Sequence, residues 1–306
     1  MSLVFDALLG GLVLAAAWRV VATPAPQASV IAFIGYGLLL GLAWVRLAAV
    51  DVALTEVAVG SGISGLVLLR AAAGEVRAAP AGPGMRLVAA LLSLAVTGGI
   101  AAVVLALPDP APTLAPDVAA RLPETDLGNP VTGVLIVFRA LDTLLETVVL
   151  LLALIGVWAL SKDRDWQAPP AALWPGAAVP VVFLARVLAP IGLLVGLYMF
   201  WAGADKPGGA FQGGAVLAAM WLLLVMAQRA TLPPARSRRL RALVLAGPFA
   251  FLATGFLGWA TAGVFLGYPP GLEKPVIIAV EVAITLSIAV TLGLVVLGPP
   301  AEGGRS

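Results

Sequence analysis

The sequence predicts an all-α protein, a polytopic membrane helix bundle of about nine transmembrane helices. Of its 306 residues, 61% are hydrophobic and 11% are charged, whereas a soluble domain usually carries about 25% charged residues. Mean hydropathy is +1.06, and apolar runs close to the roughly 20 residues that a span requires recur from Leu3 almost to the C-terminus. These observations exclude a water-soluble globule.

Apolar runs between charged or proline-rich breaks define the predicted spans. They cover roughly residues 3 to 22, 28 to 49, 52 to 71, 86 to 107, 131 to 160, 180 to 201, 209 to 229, 241 to 266 and 276 to 297. The first run contains Asp6 and has no Lys or Arg before Arg19, so it lacks the positive region that opens a signal peptide. We therefore predict that it is a span of the mature protein.

The distribution of Lys and Arg predicts an N-terminus outside and a C-terminus inside, because positive residues concentrate on the cytoplasmic side. This orientation gives the inner side Arg19, Arg70, Arg77, Arg86, Lys162, Arg164, Arg229, Arg236, Arg238, Arg239, Arg241 and Arg305. The outer side holds only Arg46, Arg121, Lys206 and Lys274. Residues 108 to 130 then form an acidic outer loop. Arg139 and Arg186 lie within spans, and the sequence does not name a partner for Arg186.

Two polar connectors rich in Pro and Gly divide the chain. They are residues 71 to 85 and 161 to 174. We predict three units: residues 1–80 with three helices, residues 81–165 with two, and residues 166–306 with four. No internal repeat relates the units, which argues against the inverted-repeat architecture of many self-contained carriers.

The chain contains neither Cys nor His, which excludes thiolate or imidazole metal sites, disulfides and Ser-His or Cys-His catalysis. The sequence therefore predicts a protein that is not an enzyme and has no cofactor or metal. Its predicted surroundings are the lipid bilayer, and no nucleic-acid partner is expected.

Ionisable residues inside the bilayer are costly and indicate function by default. Arg139, Asp142 and Glu146 lie at spacings of three and four residues and therefore share one face of a helix. Arg139 can neutralise one carboxylate, so the other, Glu146 by its depth, is expected to be protonated, to hold a cation or to pair across helices. The alternative is a structural ion pair beside a neutral glutamic acid.

Glu56 and Glu281 are two further acids within predicted spans. Small residues follow Glu56 at Gly60, Ser61 and Gly62, and these allow close helix approach or a local break. Glu281 is open to two interpretations, a functional acid or one solvated at the outer rim, and snorkelling at the rim is the expectation for Arg46 and Asp51. Glu56, Asp142, Glu146 and Glu281 all fall in the predicted outer half, a pattern that resembles an aqueous half-channel for Na⁺ or H⁺.

The sequence GADKPGGAFQGG joins the sixth and seventh predicted spans. It lacks the Gly-Lys-Ser/Thr ending of a phosphate-binding loop. The simplest interpretation is a tight turn with glycines at positive φ and a closely packed helix after it; the alternative is an interface. The residues concerned are Pro207, Gly208, Gly209, Gly213 and Gly214.

Three stretches of sequence resemble known membrane subunits. The run AVDVALTEVAVGSGISGLVL is similar to the MbhD-type subunit of membrane-bound hydrogenases and to the matching part of the large subunit of Mrp-type Na⁺/H⁺ antiporters. The run NPVTGVLIVFRALDTLLETVVLLLALIGVWAL resembles the MbhE-type segment that follows it. The run LARVLAPIGLLVGLYMFWAGADKPGGAFQGGAVLAA resembles the MnhB/MrpB subunit of the same antiporters.

This resemblance implies a fused, multi-pass subunit of a complex I-related assembly in a prokaryotic inner (plasma) membrane. It also implies other membrane subunits as partners and Na⁺ and/or H⁺ as the transported ions. It implies important acids at Glu56, Asp142 and Glu146, with Arg139 beside them. Family members often have a His after the Gly that opens the turn, where this chain has Ala204. The large antiporter-like domain normally fused upstream is also missing, so the subunit is not expected to work alone.

Three functions are compatible with the sequence. The chain is interpreted first as a subunit of a cation/proton antiporter driven by the proton gradient. The second interpretation places it in a redox-driven complex such as a membrane-bound hydrogenase. The third is a structural scaffold, which the excess of four predicted intramembrane acids over two bases disfavours.

Overall fold

The computed structural model describes residues 2–73, 82–162 and 176–299, and within these ranges it contains helices but no strand. The first part contains α1 (Ser2–Ala22), α2 (Pro26–Arg46), α3 (Val50–Thr55), the π-helix π1 (Glu56–Ile63) and α4 (Ser64–Ala72). The second contains α5 (Pro83–Ala106), α6 (Ala115–Arg121), a 3₁₀ turn (Leu122–Thr125), α7 (Pro130–Thr132), the π-helix π2 (Gly133–Phe138) and α8 (Ala140–Ala159). The third contains α9 (Val179–Ala202), α10 (Ala210–Met226), α11 (Arg238–Ala262) and α12 (Glu273–Leu297).

Eight helices of the described ranges are long and apolar enough to cross a membrane, which confirms the predicted class of fold. The seventh predicted span is shorter than expected: α10 has 17 residues and measures about 25 Å at 1.5 Å per residue. It starts after Gly209 and ends at Met226; its C-cap residue, Ala227, precedes Gln228, which has positive φ. Its length is at the lower limit for a spanning helix.

Two spans are interrupted where the sequence predicts continuous helices. The first runs α3–π1–α4, and the second runs α7–π2 and then breaks at Arg139, whose backbone has φ −131° and ψ 36°. Backbone groups released inside a membrane need other partners. Here Thr143 Oγ1 donates to the Leu135 carbonyl at 2.7 Å, and the Tyr268 hydroxyl donates to the Ile136 carbonyl at 2.8 Å.

Helix α12 forms the centre of the bundle and packs against α8, α10 and α11. Small residues permit the close approach: a Cβ on Gly214 would lie 2.8 Å from Ile288, and one on Gly247 would lie 2.9 Å from Ser287. By contrast, α5 has no buried residue. The interior is therefore built around α12, and the surface of α5 is not buried by the other described parts of the chain.

Polar contacts connect the helix ends at one face of the bundle. We name this face, at which Arg46 and Lys274 lie, the junction face. Arg46 Nε pairs with Asp6 at 2.7 Å, and Lys274 Nζ pairs with Asp205 at 2.9 Å. At the opposite face, Arg70 donates to the Val296 carbonyl.

The predicted unit boundaries, after residues 80 and 165, lie outside the described residues. The same holds for Arg77, Arg164 and Arg305 of the orientation argument.

Candidate functional site

A cavity of about 670 Å³ lies between elements from all three predicted units. Its walls come from the α3–π1 span, from π2 and α8, from the turn before α10, and from α12. Apolar side chains such as Val59, Leu135 and Ile284 form most of the wall. The polar side chains in it are Thr55, Thr132, Asp142, Thr143, Glu146, Gln212 and Glu281.

Glu281 is the most deeply placed acid of this cavity. It is 2% exposed, and its Oε2 has no hydrogen-bond partner among the described residues. It lies eight residues after Glu273, the first residue of α12, or about 12 Å along the helix axis. Glu281 therefore faces the cavity from within the bundle and does not lie at the helix end.

Asp142 and Glu146 face the same cavity from α8. Arg139, at the break before α8, pairs with Asp142, and its own carbonyl accepts from the Asp142 amide at 2.9 Å. Arg139 does not line this cavity; it borders a second one of about 970 Å³ between α6 and π2. Within the described residues Glu146 has no ion-pair partner; it lines the cavity but is exposed at the surface of this chain.

Glu56 lies elsewhere. Its half-buried side chain folds against Gly60 of its own helix and faces Gly37 of α2. The neighbouring Thr55 and Val59 line the cavity from the same span. The structure thus brings together three of the four predicted acids and places the fourth on another side of the α3–π1 helix.

Asp51 corrects the sequence analysis, which expected it at a solvated rim. It is 9% exposed, and its Oδ1 accepts from the Gly208 amide at 2.9 Å and from Asn129 Nδ2 at 3.3 Å. Its donors lie 78 and 157 residues away in the chain. Only the three-dimensional fold brings these donors to Asp51. Its position next to the end of a span therefore led to the wrong prediction of a solvated environment.

Asp51 belongs to a polar junction that connects the three predicted units. Gln212 Nε2 donates to Thr55 Oγ1 at 2.9 Å and contacts the Asp51 carbonyl at 3.4 Å. Thr132 Oγ1 donates to the Gly203 carbonyl at 2.6 Å. The polar junction comprises Asp51, Asn129, Thr132, Gly208 and Gln212. The polar residues of the NPVTG and GAFQGG motifs were the sequence features that could have predicted it.

The glycine turn lines the cavity at the junction face. Gly208 and Gly209 have φ of 150° and 146°, in the region that favours glycine. A Cβ on Gly203 would lie 2.7 Å from the Gly209 Cα, and a Cβ on Gly213 would lie 2.7 Å from the Gly196 carbonyl. Pro207 is exposed at the tip of the turn.

The carbonyl of Ala204, the position where the resemblance leads one to expect His, accepts from the amides of Gly128 and Asn129, both at 3.1 Å. The Ala204 side chain is 1% exposed. Its backbone therefore contributes to the attachment between the second and third units.

Two titratable groups near the cavity lie outside the spans. Burial raises the pKa of Tyr268, and the nearby charge of Glu281 raises it further, so Tyr268 stays protonated as the donor to Ile136. The hydrogen bond from Lys274 holds the pKa of Asp205 below its usual range. Neither residue was predicted from the sequence, because both act through residues distant in the chain.

Two ranges of the chain match protein families. Residues 180–299 match a domain related to the MnhB subunit of Na⁺/H⁺ antiporter, and residues 11–74 match the MbhD family, which is one of the subunits of MBH. No curated protein sequence matches the chain.

Two solved structures are similar to this one. The structure of the Mrp complex from Dietzia sp. DQ12-45-1b matches with a TM-score of 0.77 and 22% identity, over 98% of this chain. The match covers 35% of the other chain, so this chain spans about a third of its length. The membrane-bound sulfane sulfur reductase, an archaeal respiratory membrane complex, matches with a TM-score of 0.56 and 26% identity, over 69% of this chain and 96% of the other.

Proposed function

We propose that the chain is a fused subunit of a multisubunit Mrp-type cation/proton antiporter, because residues 180–299 match a domain related to the MnhB subunit of Na⁺/H⁺ antiporter and residues 11–74 match the MbhD family. It would act as a transporter subunit in the plasma membrane, with other membrane subunits of the complex as partners. The transported ions would be Na⁺ and/or H⁺.

The cavity that unites Asp142, Glu146 and Glu281 carries this proposal. Glu281 is buried among apolar side chains, where a carboxyl group is costly to ionise unless a cation or proton neutralises it. Glu146 lines the same cavity but is exposed in this chain. Arg139 compensates Asp142, which leaves Glu146 and Glu281 to exchange ions. Such a pair fits an ion path better than it fits a scaffold, which does not need uncompensated acids.

The positive-inside orientation would place the junction face outside the cell. The cavity, lined at that face by Gly208 and Gly209, would then be the outer half of the path. The breaks at π1 and Arg139 lie beside it, as is common where irregular backbone lines a cavity in a membrane protein. The turn residues from Pro207 to Gly214 would position the wall and contribute no charge.

A redox-driven complex is the second candidate. The likeness to the membrane-bound sulfane sulfur reductase, at 26% identity over most of that chain, favours it. The same cavity would serve an ion path there, with a different energy source. Purification of the complex and identification of its subunits would separate the two, because only the second requires redox subunits.

The test of the ion path is transport by the purified complex in sealed vesicles. We expect Glu281→Gln and Glu146→Gln each to reduce Na⁺/H⁺ exchange at least tenfold, because each removes the exchangeable charge but keeps the shape of the side chain. Glu124→Gln, at an exposed residue of the outer loop, is the matched control and should transport normally. Normal exchange by both cavity variants would refute the proposed path.

A further inference from the structure

The connection between α10 and α11 carries a cluster of exposed arginines, at the face of the bundle opposite the junction face. We name it the basic cluster; its members are Arg229, Arg236, Arg238 and Arg239. None of the four forms an ion pair with a described residue. The sequence from residue 206 to residue 272 contains no Asp or Glu, so neither α10 nor α11 supplies an acid to the cluster.

The backbone that carries the basic cluster is fixed to the bundle. Ala235 and Leu240 are buried in the same apolar cluster as Trp158 of α8. The Arg229 amide donates to the Leu224 carbonyl at 2.8 Å, which ties the start of the connection to α10. The arginines therefore project from an ordered loop, and a ligand that binds them pays little for ordering the backbone.

The arginines at the start of α11 do not stabilise their own helix. Ser237 is the N-cap, and its Oγ accepts from the Leu240 amide at 3.5 Å. Arg238 and Arg239 follow it directly, and the first turn contains no acid. Positive charge is unfavourable at a helix N-terminus, which is the positive end of the helix dipole. An anionic group from outside the helix would offset this repulsion.

An apolar stripe continues from Arg238 along α11. Its members are exposed and follow Arg238 at spacings of four and three residues, which place them on one face of the helix: Ala242, Leu245, Phe249, Leu252 and Phe256. Leu245 is 47% exposed and Phe249 is 73% exposed. Phe249 lies 11 residues after Arg238, or about 16 Å along the axis, which is close to half of the roughly 30 Å hydrocarbon thickness of a bilayer.

We propose that Arg236, Arg238, Arg239 and this stripe bind an anionic phospholipid. Its phosphate would lie on the arginines, since guanidinium groups bind phosphate oxygens through paired hydrogen bonds, and an acyl chain would follow the stripe. Arginine clusters beside a membrane span attract anionic lipids. A topological role of the positive charges requires neither the ordered loop nor the stripe. This inference is independent of the proposed ion path.

The test uses phosphatidylglycerol with a photoreactive group in its acyl chain, added to the purified complex in an uncharged detergent. Peptide mass spectrometry then locates the label. We expect labelling of α11 between residues 242 and 256, and much weaker labelling there by phosphatidylcholine with the same acyl chain. Arg238→Gln/Arg239→Gln should raise the phosphatidylglycerol concentration for half-maximal labelling at least tenfold, because each Arg near the headgroups contributes roughly a factor of five.

The matched control is Arg19→Gln/Arg86→Gln, which removes the same charge from exposed positions near the end of α1 and the start of α5, at the same face. It should keep the wild-type half-maximal concentration. A second measurement needs no variant: KCl at about 1 M, where the Debye length is about 3 Å, should weaken the labelling of the wild-type complex by phosphatidylglycerol and leave that by phosphatidylcholine unchanged.

Three results would overturn the site. Equal labelling of α11 by the two lipids in the wild-type complex would show that the arginines do not select the headgroup. Displacement of phosphatidylglycerol by inorganic phosphate would show an anion site that does not need the stripe. Loss of a neighbouring subunit from the Arg238→Gln/Arg239→Gln complex, with unchanged labelling of α11, would assign the arginines to a protein contact.

Discussion

Asp51 organises the contacts between units at the scale of single residues. One of its carboxylate oxygens accepts hydrogen bonds from a backbone amide and from a side-chain amide. Donors of this kind need an acceptor with free lone pairs, which a carboxylate offers and an amide nitrogen does not. The residue therefore joins the three predicted units through hydrogen bonds more than through its charge.

We expect Asp51→Asn to destabilise the protein by about 1–3 kcal/mol, the range for leaving a buried donor without a partner. If the new amide nitrogen faces Gly208, two donors oppose each other; if it turns away, Asn129 and Gly208 share a weaker acceptor. Thermal unfolding of the purified complex would measure the effect.

Asp6→Asn is the matched control for Asp51. Asp6 pairs with Arg46 through side chains that are both 43% exposed, and exposed ion pairs contribute about 0–1 kcal/mol. Equal destabilisation by the two substitutions would contradict the role given to the polar junction.

The depth of acids within apolar runs could be predicted only in part. The sequence left Glu281 open between a functional acid and one solvated at the outer rim, and the structure buries it. Glu146 was expected near the middle of its span, and it is exposed in this chain. Asp51 lies beside a span end and looked solvated, because its partners Asn129 and Gly208 come from distant segments. Tyr268 was missed for the same reason, since its acceptor is 132 residues away.

At the scale of helices, the contact between α9 and α10 depends on backbone approach. The Gly213 position leaves no room for a side chain, because a Cβ would lie 2.7 Å from the Gly196 carbonyl and 3.1 Å from Phe200 Cβ. A backbone carbonyl cannot move aside without moving its helix. This contact determines the positions of α10 and of the glycine turn relative to the cavity.

We expect Gly213→Ala to destabilise the protein by about 1–3 kcal/mol through overpacking, and to reduce transport because the turn at Gly208 shifts with α10. Gly98→Ala is the control, since a Cβ there has no neighbouring atom within 4 Å in the described structure. Unfolding temperature and exchange rate should both be normal in the control. A Gly213→Ala protein as stable as wild type would show that the two helices can separate at little cost.

The positions of the helices could be predicted from hydropathy, but the presence of the π-helices could not. A π-helix uses the same apolar residues as an α-helix and differs in its hydrogen-bond spacing, which the hydropathy pattern does not report. The break at Arg139 depends on Thr143 and Tyr268, which take over the carbonyls of Leu135 and Ile136. Only one of those two donors is near in sequence.

At the scale of the whole molecule, the burial of the helices is uneven. Helix α12 is largely enclosed, whereas α5 has no buried residue and α1 packs mainly against α2. Such apolar surfaces suit lipid or neighbouring membrane subunits. The chain thus provides a packed centre with peripheral helices available for other contacts.

The proposed orientation predicts which face a water-soluble reagent can reach. Thr113, in the loop between α5 and α6, lies on the junction face, and Gln228 follows the far end of α10. Single Thr113→Cys and Gln228→Cys variants have no background from this chain, because it contains no cysteine.

We expect an impermeant maleimide to label intact cells at Cys-substituted residue 113 only. Residue 228 should react after the membrane is opened. The reverse pattern would invert the orientation and place the cavity on the cytoplasmic side.

The polar junction has a consequence for how such chains arise in evolution. Its hydrogen bonds run directly between Asp51, Asn129 and Gly208, and the two matched families, MnhB and MbhD, are both described as subunits of larger assemblies. Contacts of this kind do not require the polypeptide to be continuous. Gene fusion or fission between these units would therefore change how many chains are translated and leave the assembled interface the same.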